Sequence, residues 1–284
     1  MDDITTFSQI SDVENVNYQD VVRSLRIFIT SLFILILGML GNVTTVYIYT
    51  RSKTLRHNKM FELILAAFDI YALFVLLPMF TLIFYSQDDQ LLLYTKLAIS
   101  LSGHSYYVTI LCSTICRYIA VYHPFWFNTF LKKWRKRFVF IICATSVLSF
   151  TRTLLLRVIL DVNLSPVYII DIILLTSASF VSIAVLSILI IAKLMKQNAV
   201  GPQVALQNGG TRKKHMVAVK TFGAVSLCFL ISYVMAYVTA NRLIHPEVFY
   251  LYFLNHICNP VIYLLFNREF RAKVRELARL NNTE

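Results

Sequence analysis

The sequence predicts an all-α membrane protein, a bundle of seven transmembrane helices with the N-terminus outside and the C-terminus inside. Three observations carry this. Of 284 residues, 57% are hydrophobic and 15% charged, against about 45–50% and about 25% in an ordinary soluble domain. The apolar residues gather into seven runs of membrane length, where a spanning helix needs about 20. The basic residues, 27 Lys plus Arg against 15 Asp plus Glu, fall in alternate loops between those runs. Seven glycines, six prolines and five cysteines are too few for a collagen-like, low-complexity or disulfide-stapled chain.

The runs are Leu25–Thr50, Met60–Tyr85, Leu91–Tyr122, Phe138–Leu160, Val167–Leu194, Met216–Arg242 and Glu247–Phe266. Helices are expected because lipid offers no partner to an unpaired backbone group. The loop after the first run holds Arg51, Lys53, Arg56 and Lys59. That after the third holds Lys132, Lys133, Arg135, Lys136 and Arg137, and that after the fifth holds Lys196, Arg212, Lys213 and Lys214. The intervening loops Ser86–Gln90, Asp161–Pro166 and Leu243–Pro246 are poor in Lys and Arg, and residues 1–24 carry Asp2, Asp3, Asp12, Glu14 and Asp20. This places residues 1–24 outside as an acidic segment, 25–266 as the membrane domain and 267–284 in the cytoplasm. Most of the +12 net charge is then a topology signal, with anionic inner-leaflet lipids as partners and no nucleic acid. The first 22 residues have no apolar core, so the first span is expected to act as its own insertion signal.

Ionisable and amide side chains inside a span are costly and mark functional sites. Asn42 is central in the first run, Asp69 in the second, Arg152 lies on the fourth, Asp171 near the outer end of the fifth, and Asn255, His256 and Asn259 on the seventh. Around them stand Gly41-Asn42 with Val46, Leu65-Ala66-Ala67-Phe68-Asp69 followed by Pro78, and Cys116-Arg117-Tyr118-Ile119-Ala120-Val121-Tyr122-His123-Pro124-Phe125. Asn259-Pro260-Val261-Ile262-Tyr263 and Asn267-Arg268-Glu269-Phe270-Arg271 complete the series. From about Leu25 to Leu277 the chain resembles the rhodopsin-like (family 1, class A) G protein-coupled receptors, with motifs similar to GNxxV, LAxxD, DRYxxVxxPL, NPxxY and the start of a short amphipathic eighth helix.

The resemblance implies a plasma-membrane receptor that passes binding of an extracellular ligand to a cytoplasmic heterotrimeric G protein. Arg117, with Tyr118 and Pro124 at matching spacing, would contact the G protein, and Phe125 would fill an apolar pocket on it. Tyr263 would swing inward, freed by the helix distortion at Pro260 within Asn259-Pro260-Tyr263. Asn42, Asp69, Tyr106, Asn255, His256 and Asn259 would form the central polar network. There the family's sodium ion is disfavoured, because Tyr106 and His256 replace small residues and His256 is expected to bond Asp69 in the ion's place. No other cofactor is implied.

Departures from the family pattern are equally specific. Cys116 stands where the family has an acid and His215 where some members have another, so Arg117 is expected to lack an anionic restraint and basal signalling to be raised. The family's outer disulfide has no partners here, with Leu92 at the expected position and all five cysteines in spans or near the inner face. In the sixth run Phe229 and Tyr233 occupy the toggle motif, Tyr233 in place of Trp and Met235 in place of Pro. These losses leave an alternative: a receptor-like protein that binds ligand or partner proteins without activating a G protein.

For the ligand, Ile99 and Phe253 occupy the positions of the family's amine-binding Asp and retinal-binding Lys, which disfavours both ligand types. Arg152 lies about 22 Å along the helix from Arg137, and Thr145, Ser149 and Arg152 recur at helical spacing. Arg152 is expected to meet an acidic ligand group, to pair with Asp171, or to snorkel to the surface. Lys96 and Arg242 lie near the same mouth. No nucleophile–base set or metal-ligand spacing occurs, so an enzyme is not expected.

Overall fold

The computed structural model describes residues 3–51, 59–86, 89–156, 164–199, 221, 223–225, 227–228, 231–232 and 250–280. The helices are α1 (Asp3–Arg51), α2 (Met60–Tyr71), α3 (Leu77–Ser86), α4 (Asp89–Tyr122), α5 (Pro124–Leu154), α6 (Leu164–Ala199), α7 (Tyr250–Phe266) and α8 (Arg268–Leu280). A π-helical stretch, Ala72–Leu76, joins α2 to α3. Together α2, this stretch and α3 make up the second apolar run. Of the sixth run only a few helical residues are described.

Among the described residues, Val21–Arg51, Met60–Ile83 and Thr129–Leu154 are long and apolar enough to cross a membrane, and Val181–Lys193 and Tyr250–Phe266 are shorter apolar helices. The chain is therefore a helical membrane protein. Its polarity is arranged accordingly. Leu25, Phe28, Leu32, Phe33, Ile36 and Leu40 are exposed along α1, while Ser31, Asn42 and Thr45 on the same helix are buried. Large apolar side chains can face outward because lipid solvates them, whereas the polar ones turn inward with Ile27, Ile34 and Ile48, where the interior must satisfy them.

Two helix starts differ from the apolar runs. α1 begins at Asp3, well before Leu25. α5 begins at Pro124, not Phe138, so the basic segment expected as a loop is helical. Proline suits the first turn, where no N–H partner is needed. Trp126, Phe130, Trp134 and Phe138 then follow at intervals of four, with ring centroids 5.0, 5.8 and 6.1 Å apart in sequence, a ladder that supports helix beyond the apolar run.

α1 packs on α2 and α7, and α4 packs on α5 and α6. Leu65, Leu73, Leu76, Ile110 and Phe253 are fully enclosed between helices. The α4–α5 seam is polar: Ser105 and Ser146 share a hydrogen bond, and Ser149 Oγ lies 2.7 Å from His104 Nδ1. Small hydroxyl side chains let the two backbones approach and bond across the gap. The turn at Phe266–Arg268 is fixed by Asn267, whose Oδ1 accepts the backbone N–H groups of Glu269 (3.1 Å) and Phe270 (3.2 Å), an N-cap for α8. Phe270, Val274 and Leu277 then turn one face of α8 onto the core.

Candidate functional site

Asp69, on the buried face of α2, is fully enclosed. Its Oδ1 lies 2.7 Å from His256 Nδ1 and its Oδ2 accepts from Asn259 Nδ2 at 2.7 Å. Asn259 Nδ2 also donates to Tyr106 Oη on α4 at 2.8 Å, and Asn255 Nδ2 reaches the same oxygen at 3.3 Å. The network therefore joins α2, α4 and α7. Asn255, His256 and Asn259 fall within one turn of α7, so all three side chains converge on the same side. With Asp69 ionised, His256 Nδ1 must carry the bonded proton, because a carboxylate can only accept. The rings of Tyr252, Tyr106 and Phe253 surround the imidazole, with centroids 5.3, 5.8 and 6.2 Å away. They keep water from the pair and so strengthen it.

This geometry matches the expected His256–Asp69 bond, and it bears on sodium. A cation at Asp69 would compete with N–H donors already seated on both carboxylate oxygens. We predict that exchanging sodium for choline leaves the melting temperature of the purified protein unchanged. The double variant His256→Ser/Tyr106→Ser should gain sodium-dependent stabilisation. A sodium-dependent rise in the wild-type protein would overturn this account.

α1 enters the network through the backbone. Asn42 Nδ2 donates to the His256 carbonyl at 2.7 Å and to the Gly38 carbonyl at 3.0 Å. The His256 carbonyl is the one that residue 260 would ordinarily bond, four positions on. Residue 260 is proline and has no N–H to give. Asn42 thus supplies from a neighbouring helix the donor that α7 lacks. Gly41, beside it, faces Pro260: a Cβ on Gly41 would stand 2.8 and 2.9 Å from two carbons of that ring.

A second charged group lies near the C-terminal end of α4. Arg117 Nη2 is 3.2 Å from Glu62 Oε1, and the Lys59 ammonium is 3.2 Å from the same oxygen. Glu62 is only 3% exposed. This corrects the expectation that Arg117 lacks an anionic restraint. That expectation looked at position 116 and the sixth run, whereas the acid comes from α2, seven residues before Asp69 and hence on the same helical face. The seven-residue spacing was the available signal. Cys116 itself is buried in an apolar cluster with Met60, Phe61, Cys112 and Phe138.

The other expected switch residues surround this end. Tyr118 stacks on Tyr122 with centroids 4.4 Å apart, and Tyr122 Oη donates to the Leu189 carbonyl of α6 at 3.0 Å. Pro124 opens α5, and Phe125 is 100% exposed. Tyr263 is buried between Tyr49 and Phe270, with centroids 6.3 and 5.9 Å away.

Of the expected ligand residues, the side chains of Lys96 and Arg152 are described. Lys96 is half-buried on α4 and Arg152 is exposed on α5. Thr145, Ser149 and Arg152 lie within about 60° of one another around α5, with Ser149 buried, Thr145 half-buried and Arg152 exposed. The buried face of α5 runs through Ile142, Ser149 and Thr153, and successive steps of about 100° leave Arg152 past its edge. The side chain of Asp171 and the whole of Arg242, His215 and the toggle residues Phe229 and Tyr233 lie outside the described residues. The polar seam of His104 and Ser105 was missed at the level of sequence, because isolated serines in a span carry no periodic signal. All five cysteines are free thiols. Among the described residues no cluster of His, Cys, Asp and Glu is suited to a metal. No family model matches the chain, and no curated protein matches its sequence.

Proposed function

We propose that the protein is a seven-span receptor of the rhodopsin-like kind that couples an extracellular ligand to a heterotrimeric G protein at the plasma membrane. The observation that carries this is the network around Asp69. Asn42, Asp69, Tyr106, Asn255, His256 and Asn259 come from four separated stretches of sequence and were singled out by motif. They meet in one hydrogen-bonded group. A polar knot in the middle of apolar helices is a costly feature, and it links the helices whose relative movement would carry a signal.

In this reading Arg117, Tyr263 and the exposed Phe125 form the cytoplasmic end, where a G protein docks. Phe125 offers an apolar anchor of the kind that partner pockets receive. The basic face of α5 (Lys132, Lys133, Lys136, Arg137) lies beside anionic headgroups. Movement of the cytoplasmic ends would expose Arg117 to its partner.

The test is a screen of G protein activation in cells, across the G protein classes, with Arg117→Ala as the control at equal surface expression. Agonist-free or serum-stimulated activation that Arg117→Ala removes is the expected outcome. Silence of the wild-type chain with every class would favour the second reading, a membrane protein that binds without G protein activation. Tyr233 in place of the family's Trp and Met235 in place of its Pro favour that second reading.

A further inference from the structure

We infer that Glu62 is the positioning residue for Arg117, and that Lys59 is the counter-ion that takes Glu62 over when Arg117 leaves. The inference rests on the receptor reading for what Arg117 does, and on geometry alone for what holds it.

Glu62 and Asp69 are the two buried acids among the described residues. Asp69 belongs to the central network; Glu62 does not. It lies in the first turn of α2, where the helix N-terminus favours a negative charge. An enclosed carboxylate there still needs a cation within contact distance, and it has two. Arg117 and Lys59 both stand 3.2 Å from the same Oε1. The two cations are not equivalent. Lys59 immediately precedes α2 and travels with Glu62. Arg117 belongs to α4, so its bond to Glu62 ties two helices together.

That asymmetry gives the cluster a way to switch. If Arg117 swings toward a docked partner, the α2–α4 tie is released. Glu62 is then not stranded, because Lys59 remains on the same oxygen. The cost of losing a buried ion pair comes chiefly from the charge left unpaired, so a resident second cation lowers the cost of opening. The arrangement also explains how Cys116 can occupy the position beside Arg117. The thiol packs with Cys112, Phe130 and Phe138, and the restraining carboxylate is supplied from the neighbouring helix.

The experiment compares agonist-free G protein activation at matched surface expression with melting temperatures of the same purified variants. Glu62→Gln should raise basal activation several-fold, Glu62→Asp should raise it less, and Cys116→Asp added to Glu62→Gln should return it toward wild type. Lys59→Gln should lower basal activation, because opening then strands Glu62. Melting of Glu62→Gln, Arg117→Gln and the double variant should be non-additive, the double losing less than the sum of the singles. If activation is measurable but is unmoved by Glu62→Gln and Lys59→Gln, the switch is overturned. An additive thermal cycle overturns the tie itself. If no variant activates any G protein while the cycle is non-additive, the receptor reading fails and the tie stands.

Discussion

Replacing His256 by leucine should cost the protein about 3 kcal/mol of folding stability, the upper end of the range for leaving a buried acceptor without its hydrogen-bond donor. Leucine nearly conserves volume, so the loss would report the bond rather than a cavity. Asp69 is fully enclosed, and its Oδ1 sits 2.7 Å from His256 Nδ1. Without the imidazole, one carboxylate oxygen loses its donor in surroundings made of Tyr106, Tyr252 and Phe253. Water cannot readily reach it there. The variant should show a markedly lower melting temperature in detergent and weak surface expression. The second variant decides the cause. Asp69→Asn on the His256→Leu background removes the charge while keeping an amide for Tyr106 and Asn259 to meet, and should recover most of the lost stability. If the double variant melts no higher than His256→Leu, the charge on Asp69 is not what the histidine offsets.

How far this site was legible in the sequence follows from where its partners sit. Asn42, Asp69, Asn255, His256 and Asn259 are conspicuous because amides and charges are rare in apolar runs, and their cost there demands company. The pairing of His256 with Asp69 was legible only through the resemblance, which sets His256 beside Asp69 where the family has a small residue. Glu62 did not stand out. It lies at the edge of its run next to Lys59, where an acid reads as an ordinary helix-start residue. Only the packing of α4 on α2 turns it into a buried partner for Arg117. The same limit applies to Arg152. Helical spacing groups it with Ser149, but which side of that group is buried depends on where α4 lies. The early start of α5 at Pro124 had a legible cause in its four-residue aromatic spacing, overlooked because the basic residues between the rings suggested a loop. Periodicity and rarity are properties of one segment. Contacts between segments are not.

The other large effect should come from Asn42, and it depends on an atom that is missing elsewhere. Asn42→Leu removes the donor that meets the His256 carbonyl at 2.7 Å, leaving a buried acceptor unpaired at a cost of about 1–3 kcal/mol. In α7 that carbonyl has no backbone partner only because residue 260 is proline. Pro260→Ala restores the N–H, so the cost of Asn42→Leu should shrink on the Pro260→Ala background. Gly41 takes part in the same joint. A methyl group at position 41 would press on the Pro260 ring at 2.8 Å, and a rigid ring yields less than a flexible side chain. Gly41→Ala should therefore destabilise by about 1–3 kcal/mol, the range for overpacking. Gly38→Ala drives a methyl group into Leu73, itself fully enclosed, and should destabilise as well. Melting temperatures of the four single variants and of Asn42→Leu/Pro260→Ala measure this. If Asn42→Leu costs the same with or without Pro260, its amide is not standing in for the missing backbone donor, and α1 is held to α7 by packing alone.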